Sequence, residues 1–436
     1  MIYNSASLAI LFFCFLHDKT MNLPAAASDP LDLIAERYVR LVLAIGQHDT
    51  YYVDAYYGPP EWQQQAASEQ QALASIAEGV RQALQLLNEV EAEAEAAPLE
   101  RASALRAASL RKQLQSMQTR LAMLGGLRLS FEEESAQLYD AVSPRHERAW
   151  YASLVAQIDT LLPGSDSVSA RVQAFRSHFV IAPERLHDVM TAAMDAGRKR
   201  TLEHFALPAE EACLLEFVTG KSWSGYNWYK GNYQSVIQIN TDLPIYIDRA
   251  VDLGCHEAYP GHHVYNVLLE RELVRGKGWL EYSVYPLFSP QSLIAEGTAN
   301  YGIELCFSAE ERLQFEQQVL FPLAGLDPAL APQYAHLNRL LAMLAYADND
   351  IARQYLDGSL DRAGALEWLA EARLYPIEKA AQRLQFYDEM GAYVINYNLG
   401  QDMVKAYIER QGETRQAQWA AFRDLMSFPR VPSALR

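Results

Sequence analysis

The sequence predicts a mainly α-helical protein with a small β-sheet or hairpin, and three observations lead to this fold class. Apolar residues recur three and four positions apart along most of the chain, which is the spacing of a buried helix face. Residues that start helices, such as Asp29 followed by Pro30, precede several of these segments. The best strand candidate is Gln234–Asn240 (QSVIQIN), which is rich in β-branched residues and alternates in polarity.

Folded structure is expected to begin at Asp29, and residues 1–28 are expected to be an N-terminal extension. Residues 7–16 (SLAILFFCFL) resemble the apolar core of a signal peptide, and three alanines at 25–27 resemble its cleavage site. No Lys or Arg precedes the apolar run, which is shorter than the roughly 20 residues that span a bilayer. We expect a cytoplasmic protein, with Met21 as an alternative start. A periplasmic location is the alternative if residues 1–27 are a signal peptide.

Residues 29–436 are expected to form a single domain, with an N-terminal helical half (29–219) and a second half (220–436). Two antiparallel helices are expected between residues 61 and 125, separated by Ala97-Pro98. The other expected helices cover residues 29–45, 131–139, 143–162 (capped by Ser143), 167–179, 183–205, 210–219, 289–304, 310–318, 333–356, 362–374, 376–390 and 400–411. A further helix, capped by Thr241-Asp242, is expected to run into His256. The aromatic stretches 51–62 and 220–233, with their Gly and Pro residues, are expected to be loops.

The composition excludes two classes of partner. The chain carries 54 acidic and 37 basic residues, so its formal net charge at pH 7 is −17. Such a surface repels the phosphates of nucleic acids and of anionic membranes, and we expect the protein to bind neither. The four cysteines (Cys14, Cys213, Cys255 and Cys306) are far apart and form no CxxC pair, which favours free thiols in a reducing compartment.

Residues 255–270 (CHEAYPGHHVYNVLLE) are the chemically distinctive part of the chain. Three of its ten histidines lie within eight positions, at His256, His262 and His263. A His-Glu pair with another His one or two helical turns later is how a helix presents two imidazoles and a carboxylate to zinc. The usual four-residue spacing fails here, because Pro260 stands four positions after His256 and kinks the helix. We predict that an irregular turn brings His262 to face His256, with His263 as the alternative ligand.

The remaining site residues are assigned from the needs of zinc-dependent hydrolysis. A catalytic zinc ion takes three protein ligands and leaves one position open, so a third ligand is expected on another helix. Glu296 is the choice, because the small residues around it (AEGTANYG) let two helices approach closely. Glu304 is the alternative, or a partner for a ligand histidine. Glu257 is the predicted general base, and Tyr397 or Tyr393 is predicted to donate a hydrogen bond to the oxyanion.

These motifs resemble those of a large bacterial domain family of unknown function with an HExxPGHH signature and a later EGWAxYxE run. The first signature is matched by His256-Glu257 and Pro260-Gly261-His262-His263. The second is matched by Glu296-Gly297, Ala299, Tyr301 and, with different spacing, Glu304, whereas Thr298 replaces the family's Trp. Tyr397-Asn398-Leu399-Gly400 is similar to the family's SYxxG motif, and residues 422–435 are similar to its closing segment.

The chain also departs from that family. Gly391-Ala392-Tyr393-Val394 stands where the family has PGQA. The family's DxGxH stretch has no counterpart, and Ala347-Asp348-Asn349-Asp350 is the nearest run. These departures leave the predicted zinc ligands intact and concern the oxyanion donors and the substrate.

The resemblance implies an elongated, multi-helix zincin-like fold, similar to gluzincin peptidases such as thimet oligopeptidase, angiotensin-converting enzyme and the Taq-type carboxypeptidases. The predicted function is a metallopeptidase that holds one zinc ion per chain and cleaves short peptides, with Glu257 assisting the attack of zinc-bound water. A zinc hydrolase of another amide or ester is one alternative, and a non-catalytic binding protein of the same shape is another. The strand Gln234–Asn240 is expected either to offer an exposed edge to an extended peptide or to be a purely structural hairpin.

Overall fold

The computed structural model describes residues 29–96, 98–221 and 223–436 and is mainly α-helical, which confirms the predicted fold class. The predicted extension, residues 1–28, lies outside the described residues. The helices of the first part are α1 (Pro30–Ile45), α2 (Pro60–Glu69), α3 (Leu73–Ala96), α4 (Arg101–Leu124), α5 (Phe131–Tyr139), α6 (Arg148–Leu161), α7 (Val168–Arg176) and α8 (Pro183–Leu202).

The second part holds the remaining helices and most of the strands. The helices are α9 (Asp248–Leu253), α10 (His262–Leu269), α11 (Pro290–Cys306), α12 (Ala309–Phe315), α13 (Phe321–Ala324), α14 (Ala331–Met343), α15 (Ala347–Leu356), α16 (Arg362–Ala372), α17 (Ile377–Met390), α18 (Ile395–Gln411) and α19 (Arg415–Ser427). The strands of the whole chain are β1 (Val53–Tyr56), β2 (Ala212–Val218), β3 (Gly225–Tyr229), β4 (Gln234–Asn240) and β5 (Val284–Pro286).

Helices with strong local signals begin where the sequence predicts. The Asp29 carboxylate accepts a hydrogen bond from the Leu31 backbone N–H (3.0 Å), and Pro30 occupies the first turn of α1. Helix α5 has the predicted bounds, and Ser130 and Glu133 close a capping box at its start. Local hydrogen bonds thus define these helix starts without help from distant parts of the chain.

The strands form two small sheets. In the three-stranded sheet, β4 lies in the centre, parallel to β2 and antiparallel to β3; β1 and β5 form an antiparallel pair. Strand β4 has the predicted bounds, but it is not an edge strand, so the predicted peptide-pairing role of its edge is wrong. The predicted loops 51–62 and 220–233 contain β1 and β3.

The predicted helix over residues 210–219 is wrong, because Ala212–Val218 forms strand β2. All seven residues of β2 pair in parallel register with β4, from Ala212 opposite Gln234 to Val218 opposite Asn240. Leu214 and Glu216 are exposed, whereas Cys213, Leu215 and Phe217 are half-buried, which is the two-residue period of a strand. The partner strand lies outside the segment, so pairing with it overrides a local pattern that favours a helix.

Three predicted helix starts are also displaced, and the helix expected from Gly400 already begins at Ile395. The helix expected from Ser143 begins only at Arg148. The helix expected from Thr241-Asp242 begins only at Asp248. Tyr246 forms a β-bridge with Val180 instead, in which the Ile247 N–H donates to Phe179 O (2.9 Å) and Ile245 O accepts from the Ile181 N–H (2.8 Å).

Helices α11 and α18 cross closely beside the predicted third ligand. A Cβ atom on Gly400 would lie 2.7 Å from Leu293 O and 3.2 Å from the Gly297 Cα, and a Cβ on Gly297 would clash with the Gly400 backbone. The predicted close approach of two helices near Glu296 is therefore confirmed. It brings the segment that carries Tyr393 and Tyr397 against the helix that carries Glu296. None of the described helices combines the length and apolar character needed to cross a bilayer.

Candidate metal centre

The backbone around the histidine motif is interrupted rather than kinked. Helix α9 continues into a π-helical turn at Gly254–Ala258, where the Tyr259 N–H donates to Gly254 O (3.2 Å), five residues back. The Tyr259–Pro260 peptide bond is cis, and α10 begins at His262. His256 therefore lies in the last turn of one helix and His262 at the start of the next. Their rings meet edge to face, with centroids 4.6 Å apart.

Glu296 on α11 completes a three-residue group. Its Oε2 atom lies 3.3 Å from His256 Nε2 and 3.9 Å from His262 Nε2. One donor atom from each of the three residues lies within 4.8 Å of the others, so the group could hold a metal ion. Ligands of a tetrahedral zinc ion with bonds of about 2.0–2.2 Å lie roughly 3.3 Å apart, close to the spacing found here. The structure thus brings the three predicted ligands together.

Hydrogen bonding supports a cation at this position. The Asn300 amide nitrogen donates to Tyr397 O (2.9 Å), so the Asn300 oxygen accepts from His256 Nδ1 (2.9 Å). The Nε2 lone pair of His256 is then directed towards Glu296. Glu296 Oε2 is buried and has no hydrogen-bond partner among the residues that the structure describes. A buried carboxylate oxygen without a donor is costly, and a divalent metal ion bound to it and to both imidazoles would remove that cost.

The charges of the group also favour a cation. Burial opposes a charged His256, but the 3.3 Å contact of its Nε2 with Glu296 Oε2 and the charges of Glu257 and Glu296 raise its pKa to about 9. Burial, together with the charge of His256, lowers the pKa of His262 to about 4. For Glu296, burial is outweighed by the contact with His256 Nε2 and by the charges of both imidazoles, and its pKa is lowered. The site therefore stabilises the Glu296 carboxylate and one positive charge next to it.

Glu257, the predicted general base, follows His256 in the π-helical turn and is buried. Burial is the main reason that its pKa is raised to about 7, although the charge of His256 opposes the rise. Its Oε1 atom lies 3.3 Å from where a Cβ on Gly225 would stand, and the Asn227 side chain donates to its backbone oxygen (2.6 Å). Gly225 and Asn227 belong to β3, so β3 is the sheet edge that borders the candidate base.

The two predicted oxyanion donors differ in what they contact. The Tyr393 hydroxyl donates to Glu296 Oε1 (2.9 Å) and orients the candidate ligand. The Tyr397 ring lies 5.8 Å from the Tyr393 ring. Burial, then the charge of Glu296, raises the pKa of Tyr397, so its hydroxyl keeps its proton and can donate it. Tyr397 stays the predicted oxyanion donor.

Two alternative ligands lie outside the group. The Glu304 carboxylate accepts from Gln401 Nε2 (2.5 Å) and Lys405 Nζ (2.7 Å) on the exposed side of the α11–α18 pair. It contacts neither histidine of the group, so its predicted role as a ligand's partner is wrong; Asn300, one turn earlier on α11, has that role. His263 is buried, and its ring contacts Ser235 and Glu211 instead of Glu296.

His263 belongs to a separate hydrogen-bond network, which we call the His263 cluster: His263, Glu211, Ser235, Tyr259 and Arg198. His263 Nε2 lies 2.9 Å from Glu211 Oε2, and its Nδ1 lies 2.8 Å from Ser235 Oγ. The Tyr259 hydroxyl and Arg198 Nε also donate to Glu211 (2.7 and 3.0 Å). Burial opposes a charged Glu211, but these three donors lower its pKa to about 2.

Asn300 and Glu211 were not predicted from the sequence. Asn300 stands four residues after Glu296, on the same face of α11, so helical spacing could have identified it. Glu211 stands at the edge of a segment predicted to be helical, and its local sequence carries no signal for the contact with His263.

Comparisons with known proteins bear on the fold. No family model matches the sequence, and no curated protein matches it either. Among solved structures, the chain is similar to a proposed lipoprotein from Colwellia psychrerythraea, with 15% sequence identity and a TM-score of 0.52 over 83% of this chain. The chain spans 65% of the length of that protein.

Carboxypeptidases are also among the structural neighbours. A carboxypeptidase from Pyrococcus furiosus is 11% identical, with a TM-score of 0.46 over 92% of this chain and 90% of its own. An M32 carboxypeptidase from Deinococcus radiodurans R1 is 13% identical, with a TM-score of 0.37 over 91% of this chain and 89% of its own. At these values the likeness says nothing about function; the Colwellia protein supports the fold alone.

Proposed function

We propose that the protein is a zinc-dependent hydrolase, specifically a metallopeptidase that cleaves short peptides. The observation that carries this proposal is the buried Oε2 atom of Glu296, which has no donor within the described part of the chain and lies between two imidazole nitrogens. His256, His262 and Glu296 would hold the ion. Three protein ligands are the number that catalytic zinc sites use, whereas structural sites use four.

When bound, a zinc ion supplies a Lewis acid that polarises a carbonyl and makes water a stronger nucleophile. Glu257 accepts the proton of the attacking water and delivers it to the leaving amine. Its burial supports this role, because the pKa of about 7 lets it take up and release a proton near neutral pH. The Tyr397 hydroxyl donates a hydrogen bond to the oxygen on which negative charge develops.

Strand β3 supports a peptide as the substrate. It is an outer strand of the three-stranded sheet and lies against the π-helical turn that carries Glu257. An extended peptide can add to such an edge through backbone hydrogen bonds, which bind it irrespective of its side chains. In this proposal, β3 has the peptide-pairing edge that the sequence predicted for β4.

The test is a digest of a short-peptide library by the zinc-loaded protein and by its Glu257→Gln variant. We expect one zinc ion per chain in both proteins and a 10²–10⁴-fold loss of hydrolysis in the variant, the range that a general base contributes. Glu257→Gln hydrolysing peptides like the wild type would show the mechanism to be wrong. Cleavage of simple esters or amides with intact peptides would favour the broader hydrolase, and zinc binding without any hydrolysis would favour a binding protein.

We propose a cytoplasmic location. Cys213, Cys255 and Cys306, the cysteines of the described residues, are free thiols, which favours a reducing compartment. The Colwellia neighbour is a proposed lipoprotein, and export is therefore the competing expectation. Fractionation of the source cells followed by N-terminal sequencing decides between them, since loss of residues 1–27 from a periplasmic form would contradict our proposal.

A further inference from the structure

Asp54 is a carboxylate beside the candidate site that the proposed mechanism does not use. It lies on β1 between Val53 and Ala55, where the register of the β1–β5 pair shifts. Such irregularities change the direction of a side chain and are frequent next to active sites. The shift in register thus falls at the only charged residue of β1.

Asp54 connects β1 to the strand that borders the candidate base. The Tyr226 hydroxyl on β3 donates to Asp54 Oδ1. Gly225, the residue before Tyr226, is where an added Cβ would stand 3.3 Å from Glu257 Oε1. The charge of Asp54 accordingly acts on the Glu257 carboxylate and on the Tyr397 hydroxyl. Asp54 is therefore a neighbour of both groups that are assigned to proton transfer and to the oxyanion.

Asp54 has no positive partner in the part of the chain that the structure describes. Burial is the main reason that its pKa is raised to about 6; the hydrogen bond from Tyr226 opposes the rise, and the charge of Glu296 adds to it. None of the described groups that act on its charge is a cation. Carboxylates in such crowded surroundings are normally paired. Asp54 is also partly exposed to solvent, so a cationic group of a ligand can reach it.

The arginines whose charges act on the site already have carboxylate partners. Arg249, which acts on the candidate base, has its Nη1 atom 3.3 Å from Asp252 Oδ2. Arg383, which acts on the predicted oxyanion donor, has its Nη2 atom 3.2 Å from Asp348 Oδ2. Within residues 29–96, 98–221 and 223–436, neither arginine forms an ion pair with Asp54. A positive charge for Asp54 is therefore expected from a ligand.

A zinc ion in the candidate site would not supply this charge. Its two positive charges would be balanced by the carboxylates of Glu296 and Glu257, and the two imidazoles are neutral ligands. Asp54 is then a third negative charge beside two positive ones. Because charges attract more strongly in a partly enclosed site than in bulk water, a cationic group on the substrate gains affinity here.

We propose that Asp54 is a specificity-determining residue that binds a protonated amino group of the substrate. This inference rests on the proposed function and names its substrate class: short peptides with an ammonium group close to the bond that is cleaved. The ammonium donates to the Asp54 carboxylate, and a neutral peptide lacks this charge-assisted hydrogen bond. The N-terminal amino group and a lysine side chain share this chemistry, and the test separates these two sources.

The test measures binding at pH 7, where Asp54 is largely ionised and a peptide amino group, with a pKa of about 8, is largely protonated. Zinc-loaded Tyr397→Phe protein keeps all three carboxylates and is titrated calorimetrically with three tripeptide amides: Ala-Ala-Ala with a free amino group, N-acetyl-Ala-Ala-Ala, and N-acetyl-Lys-Ala-Ala. We expect one of the two ammonium peptides to bind roughly tenfold or more tightly than N-acetyl-Ala-Ala-Ala, as befits a charge-assisted hydrogen bond. Which of the two binds tightly identifies the source of the ammonium.

Two further substitutions in that protein separate the charge of Asp54 from its contact with β3. Asp54→Asn keeps the shape of the side chain and an acceptor for Tyr226 but removes the charge. It should remove most of the preference and leave the affinity for N-acetyl-Ala-Ala-Ala unchanged. The matched control is Tyr226→Phe, which removes the hydroxyl and leaves the charge, so the preference should remain. One zinc ion per chain shows that each variant retains the fold of the site.

Three results would overturn the inference. The first is that the ammonium peptides bind no more tightly than the neutral one, or that none of the peptides binds. The second is a preference that survives Asp54→Asn, because the amino group would then bind the metal or another carboxylate. The third is loss of the preference in both Asp54→Asn and Tyr226→Phe, because Asp54 would then act only by connecting β1 to β3.

Failure of this inference is distinguishable from failure of the proposed function. Wild-type protein that cleaves neutral and ammonium peptides equally well would retain the metallopeptidase assignment and lose the role of Asp54. Protein that binds ammonium peptides in an Asp54-dependent manner, while the wild type cleaves nothing, would retain that role and lose the enzyme.

Discussion

His262 and His263 are neighbours in the chain, yet their side chains enter two His–Glu clusters with opposite properties. His262 meets Glu296, whose Oε2 atom is buried and has no donor in the described chain. His263 meets Glu211, whose carboxylate receives three donors, and both of its own ring nitrogens have partners. Both clusters are enclosed, so burial alone does not distinguish them.

In these two clusters it is the unsatisfied hydrogen bonding of a carboxylate, rather than the residue types, that marks the ligand site. The His263 cluster is complete without a ligand and joins β2, β4 and α8 to the turn before α10. The three-residue group around Glu296 is incomplete without a cation. The His263 cluster thus fixes the backbone at Tyr259 and His263, on either side of His262. In this way it positions the His262 imidazole, which belongs to the group around Glu296.

Separate truncation of His262 and His263 should have the largest effects, and different ones. His262→Ala should weaken zinc binding about a thousandfold or more, because a zinc site worth about 10–16 kcal/mol with four ligands loses several kcal/mol with each. The global fold should persist. His263→Ala should bind zinc at one ion per chain but unfold at lower urea concentration.

Zinc stoichiometry by atomic emission and urea unfolding of the metal-free proteins measure the two effects. The control is His187→Ala, since His187 is exposed and lies on α8, outside both clusters. Loss of zinc from the His263 variant with retention by the His262 variant would reverse our assignment of the ligand.

The next largest effect is a loss of stability, expected for the Glu211→Gln variant. Glu211→Gln removes the charge that Arg198, Tyr259 and His263 all contact, and it should reduce the free energy of unfolding by roughly 3 kcal/mol, as loss of a buried charged partner does. The wild type should also lose stability in acid. Because the pKa of Glu211 is lowered to about 2, its contribution is complete above the unfolded value near 4.5 and disappears as the pH falls from there to about 2.

The size of the acid effect is set by the protonation of His263. Burial, despite the contact with Glu211, lowers the pKa of His263, so at neutral pH the imidazole is neutral and its contact with the carboxylate is a hydrogen bond. We therefore expect roughly 2–3 kcal/mol of acid-labile stability from Glu211. Urea unfolding of metal-free protein between pH 5 and 2 measures it. A Glu211→Gln variant whose stability falls as steeply as that of the wild type would contradict this account.

Much of the fold follows from local sequence, and the exceptions have a common cause. Asp29 and Ser130 define helix starts through hydrogen bonds to residues two and three positions away. Strand β2 depends on β4, which lies some twenty residues further along the chain, and no local pattern in residues 210–219 indicates that partner. Elements whose hydrogen bonds close locally are predictable, and those completed by a distant strand are less so.

For the same reason, some residues of the candidate site could be predicted from the sequence and others could not. The choice of His256, His262 and Glu296 follows from the motif, from the break that Pro260 imposes and from the small residues on α11. The π-helical turn that aligns the two imidazoles was expected only as an irregular turn, since its geometry depends on how the chain re-enters α10. Glu211 could not have been found, because its role exists only once β2 is folded.

The smallest predicted effect concerns the Tyr393 hydroxyl. Tyr393→Phe removes the hydrogen bond to Glu296 Oε1 (2.9 Å) and leaves Oε2, the atom that faces the imidazoles, in place. We expect zinc affinity to fall about 10–100-fold, the usual consequence of losing a partner of a metal ligand. Because the hydroxyl also satisfies a buried carboxylate, the metal-free variant should lose no more than about 1–3 kcal/mol of stability.

Competition with a chromogenic chelator measures the affinity, and Tyr397→Phe provides the matched comparison. The Tyr397 hydroxyl is not assigned to Glu296, so that variant should keep its zinc affinity and lose hydrolysis instead. Equal loss of zinc from both variants would mean that the two tyrosines act through packing of α18 against α11. The hydrogen bond from the Tyr393 hydroxyl to Glu296 would then add nothing to the zinc affinity beyond that packing.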